Sequence, residues 1–596
     1  MVIDTELVPF LLWFPKALLA WLAVAAVLCT AAVIFSFLVA AVRNGPTRGA
    51  VIVGQGLVGG IADLIFLSPR RTFALARLAI QESLHRRVLV AFALFAVILL
   101  FATWYLDEAT DNPARLYLSF VLTTTTYLVL LLALFLSVFS LPSDITNRTI
   151  FTISTKPVRP SELVLGRMLG FAMVGTVLLT VMGVISYVFV LRGLSHTHEI
   201  APSKIATTGD SQVGVPTSGR TEISQNHHHD FQLDAQGRGR TDIAQGHWHE
   251  IQATRDGDRI SYKVGPPQGA LSARVPIYGK LSFKDRAGAA TNKGYNVGNE
   301  WTYRSFIEGA TLSAAVWHFT GLNGEMFPEG LPIEMTIRVF RTHKGDISKG
   351  ILGRLVLRNP KTGLSIPVPF VAKEYSTDLQ VIPRELTDDK GTKIDLFRDV
   401  VTPDGELDIQ MQCLESEQYF GMAQPDLYLR SRDASFVTNF IKGYVGIWLQ
   451  MLLVVFAGVM FSTFLNGAVA MLATFAMMLA GSFVSTIQQL ASGETPGGGP
   501  IEAALRIFTQ RNLTTKLEPG VTTDAINLFD EGFRGVLRTV LAVLPDFTAL
   551  SDTDYVVHGF DIPGDMLLTH VFTTLAYLVP IFVAAFLFFR TREVAR

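Results

Sequence analysis

Apolar runs long enough to cross a bilayer occupy both ends of this 596-residue sequence and are missing from its middle. They cover residues 17–42, 88–106, 116–141, 163–191, 440–460, 468–483 with a continuation, and 567–589. About 20 apolar residues suffice to carry a helix through the hydrocarbon core. Lipid offers no hydrogen bonds, so each run must satisfy its own backbone, and a helix does that. The sequence therefore predicts a polytopic α-helical membrane protein with about seven spans. Composition agrees: 49% of residues are hydrophobic and 17% charged, and the mean hydropathy is +0.36, high for a soluble chain of this size. The net charge of -1 and the lack of a dense basic block give no reason to expect a nucleic-acid partner. Two cysteines, Cys29 in an apolar run and Cys413 in a polar region, form no disulfide framework.

Arginines orient the spans. Lys and Arg beside membrane helices mark the cytoplasmic side. Arg43, Arg48, Arg70, Arg71, Arg77, Arg86 and Arg87 all lie between the first run and the second. The first run is too long for a signal-peptide core and its leader is not basic, so an uncleaved helix is expected. The following VIVGQGLVGGIADLIFL is Gly-rich and broken by Asp63, which predicts a re-entrant or interfacial segment. Thr72 to Arg87 has apolar positions at helical spacing and reads as an amphipathic helix on the cytoplasmic face. Asp107, Glu108 and Asp111 suit the outer side.

From Leu134 to Gly170 an apolar run ends at Leu141-Pro142, a polar loop comes next, and another run opens at Pro160-Ser161-Glu162. The loop carries Asp144, Arg148, Lys156 and Arg159. Ser143 or Asp144 is expected to cap a short interfacial helix, and Ser161 the next span. Gly166 and Gly170 form a small-xxx-small pair that lets another helix approach. Between about Gly193 and Ala434 the chain turns polar. Period-2 alternation marks Ile333–Val339 and Leu407–Cys413, and LVLRNPKTGLSIPV reads as a hairpin turning at Asn359-Pro360 and Gly363. A mainly-β, sandwich-like domain over 193–435 is expected, placed extracytoplasmically by counting spans. The aromatic stretches at Trp301 and Trp317–Phe319 read as strand core or as a ligand surface.

Several phrases together carry a family resemblance. The loop ending TKPVRPSELVLGR, the amphipathic helix closing on paired arginines, the STFLNG junction at 462–467 and the FFRTRE ending resemble ABC-2 type transporter permeases of the nitrous-oxide-maturation and gliding-motility kind. The resemblance starts near residue 72, and the helix at 17–42 is an addition. It implies an extra helix and linker over 1–71, then an elbow helix and three core spans over 72–192. The inserted β domain would come next at 193–435, and three more spans over 436–596, with an outer-face segment at 490–566. It further implies that loop 143–162, with Asp144, Arg148, Lys156, Arg159 and Glu162, docks on a separate ABC ATPase subunit. The chain would then be a permease of the inner (cytoplasmic) membrane, a homodimer or heterodimer in contact with lipid. Its substrate is unidentified and export is the expected direction.

No GxxxxGK[ST], HExxH, CxxC or GxSxG occurs, so no catalytic residue is assigned and ATP is expected on a partner. Histidine supplies the one cluster with ligand chemistry. Seven of the twelve lie between residues 196 and 249. HxH on a strand presents two imidazoles on one face, a common way to offer nitrogen to Zn²⁺ or Cu²⁺. His227, His228, His229, His247 and His249 are the candidate ligands, with His196 and His198 upstream and Asp230, Asp242 and Glu250 available to orient or join them. A polar loop that merely tolerates histidine is the plain reading. The rival to transport is a membrane-anchored extracytoplasmic binding or sensor protein.

Overall fold

The computed structural model describes the chain except residues 1–6, 86–87, 107–109, 111, 149–157, 202–204, 207–217, 235, 257–258, 298–302, 343–348, 373–376, 388–392, 494–497, 511, 513–519 and 592–596. Among the described residues six helices are long and apolar enough to cross a membrane. They are α1 (Phe10–Asn44), α2 (Pro46–Ile65), α5 (Pro113–Thr146), α6 (Pro160–Leu194), α7 (Phe436–Phe464) and α13 (Gly564–Thr591). A seventh is reached if α8 (Gly467–Ser482) and α9 (Val484–Ser492), bent by 62°, count as one broken span. Between them come α3 (Pro69–His85), α4 (Val88–Tyr105), α10 (Pro500–Thr509), α11 (Val521–Leu541) and the short α12 (Thr553–Val557). The chain is a multi-pass membrane protein. Leu11, Leu19, Val27 and Phe35 of α1 stand exposed, as lipid-facing side chains do.

One local expectation changes, at the helix caps. The Gly-rich segment expected to re-enter or lie at the interface forms one continuous 20-residue helix, α2, long and apolar enough to cross. The helix after Leu141-Pro142 does not stop there: α5 runs on to Thr146, so Ser143 and Asp144 cap no new helix. Ser161 does not cap α6 either. Arg159 holds the N-cap position, its amide donating to Glu162 at 3.0 Å, while the Ser161 hydroxyl donates to the Asp63 carbonyl at 3.1 Å. At 462–467 the connection is as short as expected, with Asn466 capping α8 through the Val469 amide at 3.0 Å.

The amphipathic α3 packs along the first turns of α6, and the small-residue pair makes the approach possible. A Cβ on Gly166 would sit 2.6 Å from Leu75 Cβ, and one on Gly170 would sit 2.7 Å from the Ala76 carbonyl and Ala79 Cβ. Gly170→Leu is therefore expected to cost about 1–3 kcal/mol by overpacking, read as a lower thermal midpoint in detergent. Gly532→Ala, at a position open to solvent, is the matched control. Equal midpoints for the two variants would contradict the packing.

Residues 193–435 are long enough for one or two domains, and their strands form two β bodies with separate cores. Ser272–Phe436 with Gly559–Asp561 forms one compact unit. Its six-stranded sheet runs β15 (Ser365–Ala372), β14 (Ile351–Arg358), β19 (Leu407–Cys413), β11 (Ala314–Phe319), β8 (Lys280–Lys284), β9 (Ala290–Thr291). A four-stranded sheet runs β16 (Thr377–Pro383), β12 (Gly330–Thr336), β21 (Leu427–Asp433), β7 (Arg274–Tyr278). Inward residues of both sheets share one core: Trp317, Leu355 and Ile409 from the first, Ile333, Met335 and Leu429 from the second. The hairpin turns where expected, with Gly363 at φ 76° and the Asn359 side chain accepting from Lys361 and Thr362. Trp317 and Phe319 are strand core; Trp301 lies outside the described residues. Cys29 and Cys413 are both free.

The second β body belongs to the unit that contains the helices. It is a meander in chain order: β1 (Ile205–Ala206), β2 (Ser218–Arg220), β3 (Asp230–Leu233), β4 (Arg238–Thr241), β5 (Glu250–Asp256), β6 (Arg259–Val264). Its buried apolar core is small, comprising Phe231, Leu233 and Ile251 with Ile200, Ala253, Tyr262 and Val264 packed against them.

Candidate metal centre

Three segments of this small β body share one local pattern. His196-Thr197-His198-Glu199-Ile200, His227-His228-His229-Asp230-Phe231 and His247-Trp248-His249-Glu250-Ile251 each read His-x-His-acid-apolar. Side chains alternate faces along extended backbone. His227, His229, Phe231 and Leu233 therefore point inward, as do His247, His249 and Ile251, while Thr197 and His228 are exposed. A layer of imidazoles continues directly into the apolar core.

The last two segments repeat at a spacing of 20 residues: Arg220-Thr221-Glu222-Ile223 precedes one and Arg240-Thr241-Asp242-Ile243 the other. Each repeat turns through two residues with positive φ, Gln225 (45°) and Asn226 (59°), then Gln245 (48°) and Gly246 (77°). Such tight hairpin turns match strand twist and fix the register of the strand beyond them. Bridges Ser224–His227 and Ala244–His247 close them. Thr221 and Thr241 then accept from the backbone amides of His229 and His249, both at 2.9 Å.

Six imidazoles converge. Twelve ring pairs among His196, His198, His227, His229, His247 and His249 have centroids 4.7–5.1 Å apart and planes inclined by 73–90°. The pairs left over, 196 with 229, 198 with 247 and 227 with 249, stand opposite one another. Twelve edges and three diagonals define an octahedron. In five of the twelve neighbouring pairs, 196–227, 198–227, 227–247, 229–247 and 196–247, the Nε2 atoms are 3.0–3.3 Å apart.

These short N···N distances are not hydrogen bonds, because the other ring nitrogen settles the tautomer. Every Nδ1 faces a backbone carbonyl: Leu194 (3.0 Å), Glu222 (3.0 Å), Gln225 (3.0 Å), Asp242 (3.0 Å), Gln245 (3.5 Å) and Gly265 (2.8 Å). A carbonyl only accepts, so each Nδ1 carries the proton and each Nε2 turns a lone pair to the centre. The buried Nε2 of His249 has no hydrogen-bond partner at all. Burial depresses the pKa of His196, His198 and His249, and takes His229 to about 4 and His247 to about 3. These five rings are thus held neutral, the form that ligates a metal. Overlapping four-histidine sets, 196/198/247/249 and 198/227/229/247, each bring their ligand atoms within 4.8 Å of one another, and these residues can hold a metal ion.

Of the five ligand candidates from the sequence, His227, His229, His247 and His249 meet here, and exposed His228 points away. His196 and His198 complete the set. The shared His-x-His-acid-apolar pattern was the signal that unites them. Asp230 and Asp242 contribute from outside. Asp230 pairs with Arg220 at 2.6 Å, and the Asp242 carboxylate accepts from the Asp230 amide at 2.9 Å.

The residues of the loop 143–162 take different positions. Glu162 is fully buried and accepts from the Ser68 amide (2.9 Å), the Arg159 amide (3.0 Å) and the Arg71 guanidinium (2.6 Å), joining the start of α6 to α3. Arg159 donates to the Ala62 carbonyl at the end of α2 at 2.9 Å and lies near Asp63 at 3.4 Å. Asp144 pairs with Arg167, which also donates to Glu82 at 2.7 Å and to Ser140. Arg167 is buried near the start of α6, with 4% exposure. Arg148 is exposed at φ 57°, and Lys156 lies outside the described residues.

Long apolar helices joined to a body lined by six convergent histidines define the class: a multi-pass membrane protein carrying a candidate metal centre. No family model, no curated protein and no solved structure matches the chain.

Proposed function

We propose that the chain is the permease subunit of an ABC-2 type transporter of the inner membrane, driven by ATP bound to a separate ATPase subunit. It moves an unidentified substrate, with export as the direction, and works as a dimer of membrane domains. The observation that supports this best is the junction at Glu162. One buried carboxylate ties the amphipathic α3 to the first turn of α6, and Arg159 beside it ties that turn to α2. A push on the loop between α5 and α6 would be carried into three helices at once, as coupling to an external motor requires. Asp144, Arg159 and Glu162 act in this reading as braces, which leaves Arg148 and the neighbouring loop as the docking face.

The test is copurification. The full chain is expected to hydrolyse no ATP alone and to retain an ATPase subunit through purification. Arg148→Glu is expected to weaken that association without loss of folded protein, since charge complementarity sets orientation and encounter at such interfaces. Unchanged retention by Arg148→Glu would move the docking face elsewhere. Failure to recover any ATPase would favour the anchored binding or sensor reading, to which the histidine-lined body is suited.

A further inference from the structure

We infer that His196, His198, His227, His229, His247 and His249 bind one divalent first-row transition ion in a closed octahedral shell, and that the ion is structural. The inference stands independently of the transport reading. An octahedron built on the separation of the five short pairs, 3.0–3.3 Å, has its centre about 2.2 Å from each vertex, close to ordinary metal–imidazole distances of about 2.0–2.1 Å. Each His-x-His segment supplies two neighbouring vertices, and each diagonal joins two different segments. One ion therefore staples three stretches of chain that are separate in sequence.

Donor chemistry narrows the ion. Six neutral nitrogens and no carboxylate exclude the oxygen-seeking Ca²⁺ and Mg²⁺. Structural Zn²⁺ takes four ligands, and Cu²⁺ favours a tetragonal field with unequal distances. A six-coordinate shell of nitrogens alone suits ions that accept six equivalent imidazoles, such as Fe²⁺, Co²⁺ and Ni²⁺. All six vertices are protein, so no position is open for water or substrate. Catalytic metal sites keep one open, which is why this one is assigned to structure. Six lone pairs aimed at one point, with the His249 Nε2 unpartnered, are otherwise mutually repulsive. The backbone carbonyls behind each Nδ1 are the outer shell that fixes ring orientation.

Cobalt is the probe. The full chain, purified in detergent and stripped with a chelator, is expected to take up one equivalent of Co²⁺ and show the weak pink d–d band of octahedral cobalt. His196→Ala with His198→Ala should lower affinity by more than about 100-fold, since even outer-shell changes cost 10–100-fold. His247→Ala with His249→Ala should do the same, and His228→Ala should change nothing. An intense blue tetrahedral spectrum would overturn the six-ligand shell, as would wild-type affinity without His196 and His198. No cobalt uptake by the wild-type chain would overturn the site itself. Should the paired variants misfold, the wild-type spectrum and stoichiometry still decide.

Discussion

Exhaustive chelation is expected to unfold the small β body while the helices and Ser272–Phe436 keep their structure. The apolar core of that body rests on Phe231, Leu233 and Ile251. Full burial of such a side chain contributes about 1.5–3 kcal/mol, whereas ordering the backbone costs about 1–2 kcal/mol for every residue. Three side chains fall far short for strands β2 to β6. Structural zinc in small peptides contributes about 10–16 kcal/mol to folding, and an ion held by six histidines works on that scale. Hydrogen exchange over residues 218–264 should be slow with metal, fast after stripping, and slow again on readdition. Exchange over β11, β12 and β19 should not change. Equal protection of 218–264 with and without metal would show that the body folds on its apolar contacts alone.

Acid is expected to act on the same segment. Unfolded imidazoles titrate near about 6.5, while burial lowers His229 to about 4 and His247 to about 3. Between those values the unfolded segment binds more protons than the folded one, so stability falls as pH falls. It is complete above about pH 6.5 and declines progressively toward about pH 3. Metal release has the same sign, because protons compete for the same Nε2 lone pairs. Exchange measured at a series of pH values should accelerate below about 6.5 beyond its intrinsic dependence, and a flat profile would contradict the depressed values.

The second large effect is expected at Arg167. Its guanidinium, 5% exposed, lies between Asp144 and Glu82 and also donates to Ser140. Arg167→Met would remove the cation that Asp144 and Glu82 share. Removing one partner of a buried ion pair costs about 3–5 kcal/mol, whereas replacing the whole group with matched neutral residues can be nearly neutral. Arg167→Met alone should therefore sharply reduce folded protein, and adding Asp144→Asn and Glu82→Gln should restore much of it. This rescue separates a charge effect from lost packing. If the triple variant is no more stable than the single one, the cluster is held by shape instead.

Sequence alone located five of the six long apolar helices, α1, α5, α6, α7 and α13, because a bilayer imposes one length and one polarity on every crossing, whereas the glycines and Asp63 of α2 hid the sixth. It determined the hairpin at Asn359–Gly363 and the strand at Leu407–Cys413 as well, since turn chemistry and period-2 alternation are local. It could also state that His-x-His shows two rings to one side. Tertiary structure decided what those rings do. The choice of His196 over His228 depends on which strand faces which, and 31 residues separate His196 from His227. The polar block from 193 to 435 split into two bodies because one set of strands closed on a shared apolar core and the other on imidazoles. Likewise, the charges of loop 143–162 and its flanks looked alike as letters. Burial sorted them: Glu162 and Asp144 became internal braces and Arg148 remained on the surface, because a charge enters the interior only where a partner meets it.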